Sequence, residues 1–155
     1  MREGSVVAIC MASRKGEPMV SVEEAMAVVG EGLSGDRYAG GKGSWSKGQV
    51  GRRQVTLINA LFVQGSGFEY AETRRNIATL GVELMDLIGQ EFCVGDAMMR
   101  GVKYCDPCLR PSVLSNKEIP FRDAFHDRGG LVAAVLRSGL IRVGSPVIPP
   151  KKHYG

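Results

Sequence analysis

No stretch of this chain approaches the roughly 18 consecutive apolar residues of a membrane-spanning helix, which excludes a helical membrane anchor. The opening run MREGSVVAICMASRKG holds no long apolar segment and is flanked by charge, so no secretory signal is expected, and a cytoplasmic location follows. Aromatics make up only 6% of the residues, with a single tryptophan. The lysines and arginines are scattered and not interleaved with those aromatics, so the formal charge of +4 favours an anionic partner in general without the footprint of a nucleic-acid binder. Cysteine is sparse too. Two of the four, Cys10 and Cys93, lie in apolar strand-like runs, which fits reduced thiols better than a disulfide framework. Internal repeats, low-complexity segments and motifs for flavin, haem or iron–sulfur clusters are also lacking.

Glycine is abundant. Twenty-one among 155 residues exceed the usual ~7%. They are aperiodic and separate short β-branched runs. Strands are expected at Ser5–Met11, Met19–Val22, Gln54–Asn59, Glu91–Val94, Ala97–Tyr104, Leu131–Leu136, Leu140–Val143 and Val147–Ile148, with a strand or short helix at Glu23–Val29. Arg74–Asn76 reads as part of a strand-like segment, Thr73–Ala78. Val82–Ile88 reads as a short helix that offers Val82, Leu84, Met85 and Ile88 to the core. Pro120 starts another short helix near His126. Many short strands and small helices predict a mainly β protein, a barrel or sandwich. One domain over residues 1–148 and a flexible tail over 149–155 are expected.

The chemistry-bearing stretch is GVKYCDPCLRPS, Gly101 to Ser112. Its Cys105-x-x-Cys108 pair admits three functional readings. A structural zinc site needs four ligands and would have to recruit His126 and His153. A thioredoxin-like redox pair wants a following helix, and Pro111 argues against one. A single thiolate can instead be a soft ligand in a site completed by a cofactor. Two inert cysteines in a turn held rigid by Pro107 are the plain alternative. Upstream, Arg74-Arg75-Asn76 supplies planar donors suited to a phosphate or polar heterocycle. On a strand, Arg74 and Asn76 would share one face. Asp36-Arg37, in the Gly-rich loop from Gly30 to Gly51, is either a loop-shaping ion pair or part of the site. Trp45 in that loop is a candidate cap for a ligand or interface. Arg128-Gly129-Gly130 offers close backbone approach beside a cation.

In order along the chain, these residues resemble the MOSC domain, the C-terminal domain type of molybdenum cofactor sulfurases. The resemblance rests on Gly32-Leu33-x-Gly35-Asp36-Arg37, Arg75-Asn76 with Gly81-Val82-x-Leu84, and Leu87-x-Gly89-x-x-Phe92-x-Val94-Gly95. It continues through Cys105-x-Pro107-Cys108, Arg128-Gly129-Gly130-Leu131 and Ile141-Arg142-Val143-Gly144-x-Pro146-Val147. Tyr38 departs from the pattern, standing where a histidine often follows Gly-Asp-Arg.

The resemblance implies a β-barrel-like MOSC fold of the standalone bacterial type and a molybdenum–pterin cofactor. It places Cys108 as the metal ligand, by analogy with amidoxime-reducing enzymes, with Arg75-Asn76 in the cofactor-binding region. Arg74, Arg128, Asp36, Arg37 and Cys105 join them as candidate cofactor-binding residues. The pyridoxal-phosphate domain of complete sulfurases has no counterpart at this length, so no pyridoxal phosphate is expected. The implied activity is reduction of a small N-hydroxylated substrate with electrons from a partner reductase. The alternative is a persulfide carrier or cofactor-delivery protein fed by a sulfur donor. Both share Cys108. No nucleic-acid or membrane partner is expected, and exposed sheet edges make a homodimer an open expectation.

Overall fold

The computed structural model of the chain describes residues 3–150. The elements run β1 (Gly4–Met11), β2 (Val20–Val22), β3 (Glu24–Val28), β4 (Gly32–Leu33), β5 (Val55–Asn59), α1 (Ala60–Val63), β6 (Ile77–Leu80), β7 (Glu91–Val94), β8 (Ala97–Tyr104), α2 (Arg110–Leu114), α3 (Phe121–Ala124), β9 (Leu131–Arg137), β10 (Gly139–Arg142) and β11 (Pro146–Ile148). Two 3-10 turns, Ala71–Thr73 and Leu84–Leu87, complete them.

Seven strands close into a barrel, ordered β1-β11-β7-β8-β9-β5-β6 and back to β1, with β2 paired to the far part of β1. Closure pairs every ring strand on both sides, so the barrel wall has no free edge. β3, β4 and β10 form a separate antiparallel sheet that packs against β8 and β9.

β5 and β6 are the parallel pair, in register Leu57↔Ile77; all other pairings of the ring are antiparallel. A parallel neighbour requires a crossover. Here residues 60–76 make it, through α1 and the first 3-10 turn. The crossover explains why β5 and β6 are apolar on both faces. Leu57 and Ile77 enter the main core with Ile9, Met99 and Leu131, whereas Ile58 and Ala78 face a second core with Val63, Phe68, Phe121 and Phe125. Phe121 and Phe125 stack at 4.3 Å, and Phe68 meets Phe121 edge-on at 5.2 Å. Each such ring, fully buried, contributes on the order of 2–3 kcal/mol. This aromatic layer is the floor on which the site's central arginine rests.

Most expected strands are present, and Glu24–Val28 is a strand rather than a helix. Three segments differ. Arg74–Asn76 is not strand: the 3-10 turn ends at Thr73, Arg74 is left-handed (φ 64°), and β6 begins only at Ile77. The Leu84–Leu87 turn buries Leu87 where Ile88 was expected, because a tighter turn advances the inward face by one residue; Ile88 is exposed. A helix, α2, follows Cys108 despite Pro111. The proline occupies its first turn, where its missing N–H has no partner to lose. Of the expected tail, residues 151–155 lie outside the described residues, as does His153. None of the helices among the described residues is long and apolar enough to cross a membrane.

Candidate functional site

A cleft opens where the turn before β2, the Gly-rich loop, the crossover and the Cys105–Pro111 segment meet. Six cations line it: Lys15, Arg37, Arg53, Arg74, Arg75 and Arg110. Tyr38, Trp45 and Cys108 share the lining, and Asp106 is its one carboxylate.

The cations fall into two groups by what their donors already hold. Arg75 is 7% exposed and turned inward. Its Nε donates to the Gly129 carbonyl at 2.7 Å and Nη1 to Thr73 at 3.2 Å, while Nη2 reaches the carbonyls of Cys105 and Asp106 at 3.5 and 3.4 Å. Its guanidinium also lies over the Phe121 ring at 5.3 Å. Arg75 is therefore a clamp that ties the crossover to the cysteine segment and to the turn before β9. Arg37 is held similarly. Its Nη1 pairs with Asp36 Oδ1 at 3.1 Å, and Nη2 donates to Tyr38 Oη and to the Arg74 carbonyl. Asp36 in turn accepts the backbone N–H groups of Ala12 and Tyr38. The Asp36–Arg37 pair thus shapes the loop, and Arg37 also lines the cleft.

Arg74 belongs to the second group. Its left-handed backbone, a conformation costing a non-glycine residue about 1 kcal/mol or more, swings the side chain out of the strand line. Nη1 donates to the Glu17 carbonyl, which anchors the neighbouring turn. Arg74 is 8% exposed and has no carboxylate partner among the described residues. Burial, then the nearby Arg37 and Arg110, lowers its pKa to about 10. Arg110, Lys15 and Arg53 likewise pair with no acid among the described residues. Arg53 instead lies over the half-exposed Trp45 ring at 5.1 Å.

Several expected site residues act elsewhere. Asn76 is fully buried and outside the cleft lining. Its Oδ1 accepts from the Thr56 N–H and hydroxyl, and Nδ2 donates to the Cys10 carbonyl, so it bridges β5, β6 and β1. The expectation that Arg74 and Asn76 share a strand face fails with the strand itself. Arg128 is exposed, with its guanidinium 4.7 Å over the Phe62 ring and away from the cleft. The glycines beside it do permit close approach, but to the chain's own backbone. A Cβ on Gly129 would collide with the Cys105 carbonyl, and one on Gly130 with that of Leu57.

Of the two cysteines, Cys105 is buried, and its N–H donates to the Gly130 carbonyl at 2.9 Å. Cys108 is half-buried and reaches the cleft. All four thiols are free, and the described residues contain no cluster of three or more His, Cys, Asp or Glu able to hold a metal. His126 is exposed beside Asp127. Lys15, Arg53 and Arg110 were not singled out from the sequence. Only Arg110 carried a local signal, its place two residues beyond Cys108.

These features define a closed β-barrel domain with a cation-lined cleft and a single thiol at the cleft wall. The family model described as the MOSC domain matches residues 49–148, and the chain belongs to the MOSC domain family. That family is associated with molybdenum cofactor binding. Lys15, Arg37, Tyr38 and Trp45 precede the matched segment, so part of the cleft wall lies outside it. The fold is similar to that of the YuaD protein from Bacillus subtilis, at a TM-score of 0.76 and 17% identity, covering 94% of each chain. YiiM from Geobacillus stearothermophilus is similar at a TM-score of 0.70 and 15% identity, over 98% of this chain and 77% of the other. YiiM from Escherichia coli matches at 0.62 and 16% identity, over 100% and 73%. No curated protein matches the sequence significantly.

Proposed function

We propose that the cleft holds a molybdenum–pterin cofactor with Cys108 as the protein's thiolate ligand. On this reading the protein reduces small N-hydroxylated compounds with electrons from a partner reductase. The observation that carries the proposal is the excess of cations with no carboxylate partner among the described residues, gathered around one accessible thiol. Burying Arg74 and Arg75 without a counter-ion is costly, and a bound anion would offset that cost. The donor set suits the group: guanidinium forks for phosphate, and a soft thiolate for a metal whose other positions the pterin fills.

Arg74, Arg110, Lys15 and Arg53 would meet the cofactor's anionic groups. Arg75, with all its known bonds to main-chain carbonyls, would position the Cys105–Cys108 segment. Arg37 would fix Arg74 through that residue's carbonyl. Tyr38 and Trp45 would wall the cleft and limit water. When bound, the cofactor supplies the two-electron chemistry that takes oxygen from the substrate nitrogen.

The test is elemental analysis for molybdenum with pterin fluorescence on protein from a cofactor-sufficient host. A near-stoichiometric signal lost in Cys108→Ser is the expected result; zinc in place of molybdenum would overturn it. A second reading, a persulfide carrier or cofactor-delivery protein, draws on Cys108 being free and half-exposed. It predicts cyanide-labile sulfur on the purified protein and no turnover with a reductant.

A further inference from the structure

A second hollow adjoins the cation cleft on the far side of the Gly-rich loop. Trp45 and Arg53 line both, so this stacked pair is the partition between them. The floor of the hollow is the outer face of β8 and β9. Leu131, Ala133 and Val135 enter the main core, so alternation turns Val132 and Ala134 outward. In β8 the alternation breaks. Gly101 pairs with Ala133 and Lys103 with Val132, which makes Val102 the extra residue of a β-bulge. Val102 and Lys103 are therefore consecutive, both exposed, and both in the lining. The volume, about 630 Å³, is in the range of small-molecule sites.

The wall is aromatic and cationic. Trp45 stays 55% exposed although Arg53 lies over its ring. The loop fixes it there: the buried Ser46 hydroxyl accepts the Gly43 N–H at 3.2 Å, and a Cβ on Gly43 would collide with the Tyr38 ring. Lys47, Arg52 and Lys103 join Arg53 in the lining, which contains no carboxylate. None of the four pairs with an acid among the described residues. Gathering like charges in this way is unfavourable until an anion neutralises them. The apolar floor and the aromatic face suit a flat ring. With a single tryptophan, the wall offers stacking to one ring and not to a run of bases.

We propose that this hollow is a second binding site, for a small planar heterocycle that carries a phosphate group. The ring would lie on the apolar floor against Trp45, and the phosphate would meet Lys47, Arg52 and Lys103. An uncharged ring alone would leave the cations unneutralised. A bare phosphate would leave the tryptophan and the floor in water. The site is distinct from the cleft: Arg52, Val102 and Lys103 do not line the cleft, and Cys108 and Arg110 do not line the hollow. It requires neither metal nor thiol, so it stands or falls independently of the function proposed above.

Trp45 is the only tryptophan of the chain, so its fluorescence reports on this wall directly. The probe is flavin mononucleotide, with riboflavin as its phosphate-free counterpart, titrated into the purified full chain without molybdenum. Binding is read by Trp45 quenching and by flavin anisotropy, with AMP and inorganic phosphate as competitors. The expected result is binding of flavin mononucleotide about tenfold or more tighter than of riboflavin, displaced by AMP at concentrations where inorganic phosphate has no effect. Val102→Glu and Lys103→Gln, both at exposed positions, should each weaken it about tenfold or more, and Arg110→Ala should leave it unchanged. Melting curves of each variant check that the fold persists. Equal affinity for the two flavins removes the phosphate from the recognition and overturns the site. Displacement by inorganic phosphate as effective as by AMP reduces it to an adventitious ion only. Binding lost in Arg110→Ala but kept in Val102→Glu and Lys103→Gln places the probe in the cleft, which also overturns the proposal.

Discussion

Among the described residues, the guanidinium of Arg75 donates only to main-chain carbonyls, whereas Arg110 pairs with no acid and faces the cleft. The two should respond oppositely to substitution. Arg75→Lys keeps the charge but cannot reproduce a fork that reaches four carbonyls. Leaving two or three of them unpaired should cost about 3 kcal/mol in denaturant unfolding. Arg110→Ala, on an exposed first turn, should change stability by no more than about 0.5 kcal/mol while weakening retention of the proposed cofactor. Arg74 adds a pH signature. Its folded pKa of about 10 lies below the ordinary arginine value, so the folded state binds this proton less well than the unfolded chain does. The cost is fully present at neutral pH and is relieved as pH rises through about 10. The unfolding free energy of the wild type relative to Arg74→Met should therefore move in favour of the wild type between pH 8 and pH 11. A flat difference across that range would contradict the burial of a charged group at this position.

Among the elements, the Cys105–Cys108 segment depends on the turn before β9. Gly129 allows the Cys105 carbonyl and Pro107 to lie against its Cα, and its own carbonyl receives Arg75 Nε. Gly129→Ala should push the cysteine segment outward. The expected outcome is a melting temperature lower by several degrees and, if the proposed cofactor is bound, a larger proportional loss of molybdenum than of fold, read by elemental analysis on the folded fraction. The barrel strands themselves were legible because their apolar runs are bounded by glycine turns; Ala97–Tyr104 emerges with the expected limits. The candidate site was legible in its parts and not in their roles. Arg74-Arg75-Asn76 stood out as a basic triplet, but a left-handed residue at Arg74 sends three neighbours in three directions, and no strand periodicity anticipates that. Arg128 looked like a cleft cation because it precedes the glycine pair; its stacking on Phe62 arises from tertiary contact with α1. Pro111 read as a helix breaker when it is a helix starter, and the difference is one position in the first turn.

For the whole molecule, the net charge of +4 is modest, yet six cations gather on one cleft with a single carboxylate among them. Such focusing raises the local concentration of anions and should make stability respond to multivalent anions more than to ionic strength alone. Pyrophosphate at millimolar concentration should raise the melting temperature by several degrees. Chloride at matched ionic strength should not, and the pyrophosphate shift should shrink in a double variant that removes the charges of Arg74 and Arg110. A shift equal for both salts would place the effect in general screening.

The closure of the barrel has a further consequence. Gly4 lies opposite Val147 where β1 meets β11, so the first and last strands leave the barrel side by side. A unit with neighbouring ends can be spliced into a surface loop of another protein without stretching its host, or joined end to end and reopened elsewhere. The exposed turn at Gly65–Gly67, on the outer side of the crossover and apart from the cleft lining, is the natural place to reopen it. The same architecture therefore permits circular permutation and grafting with the cysteine segment undisturbed.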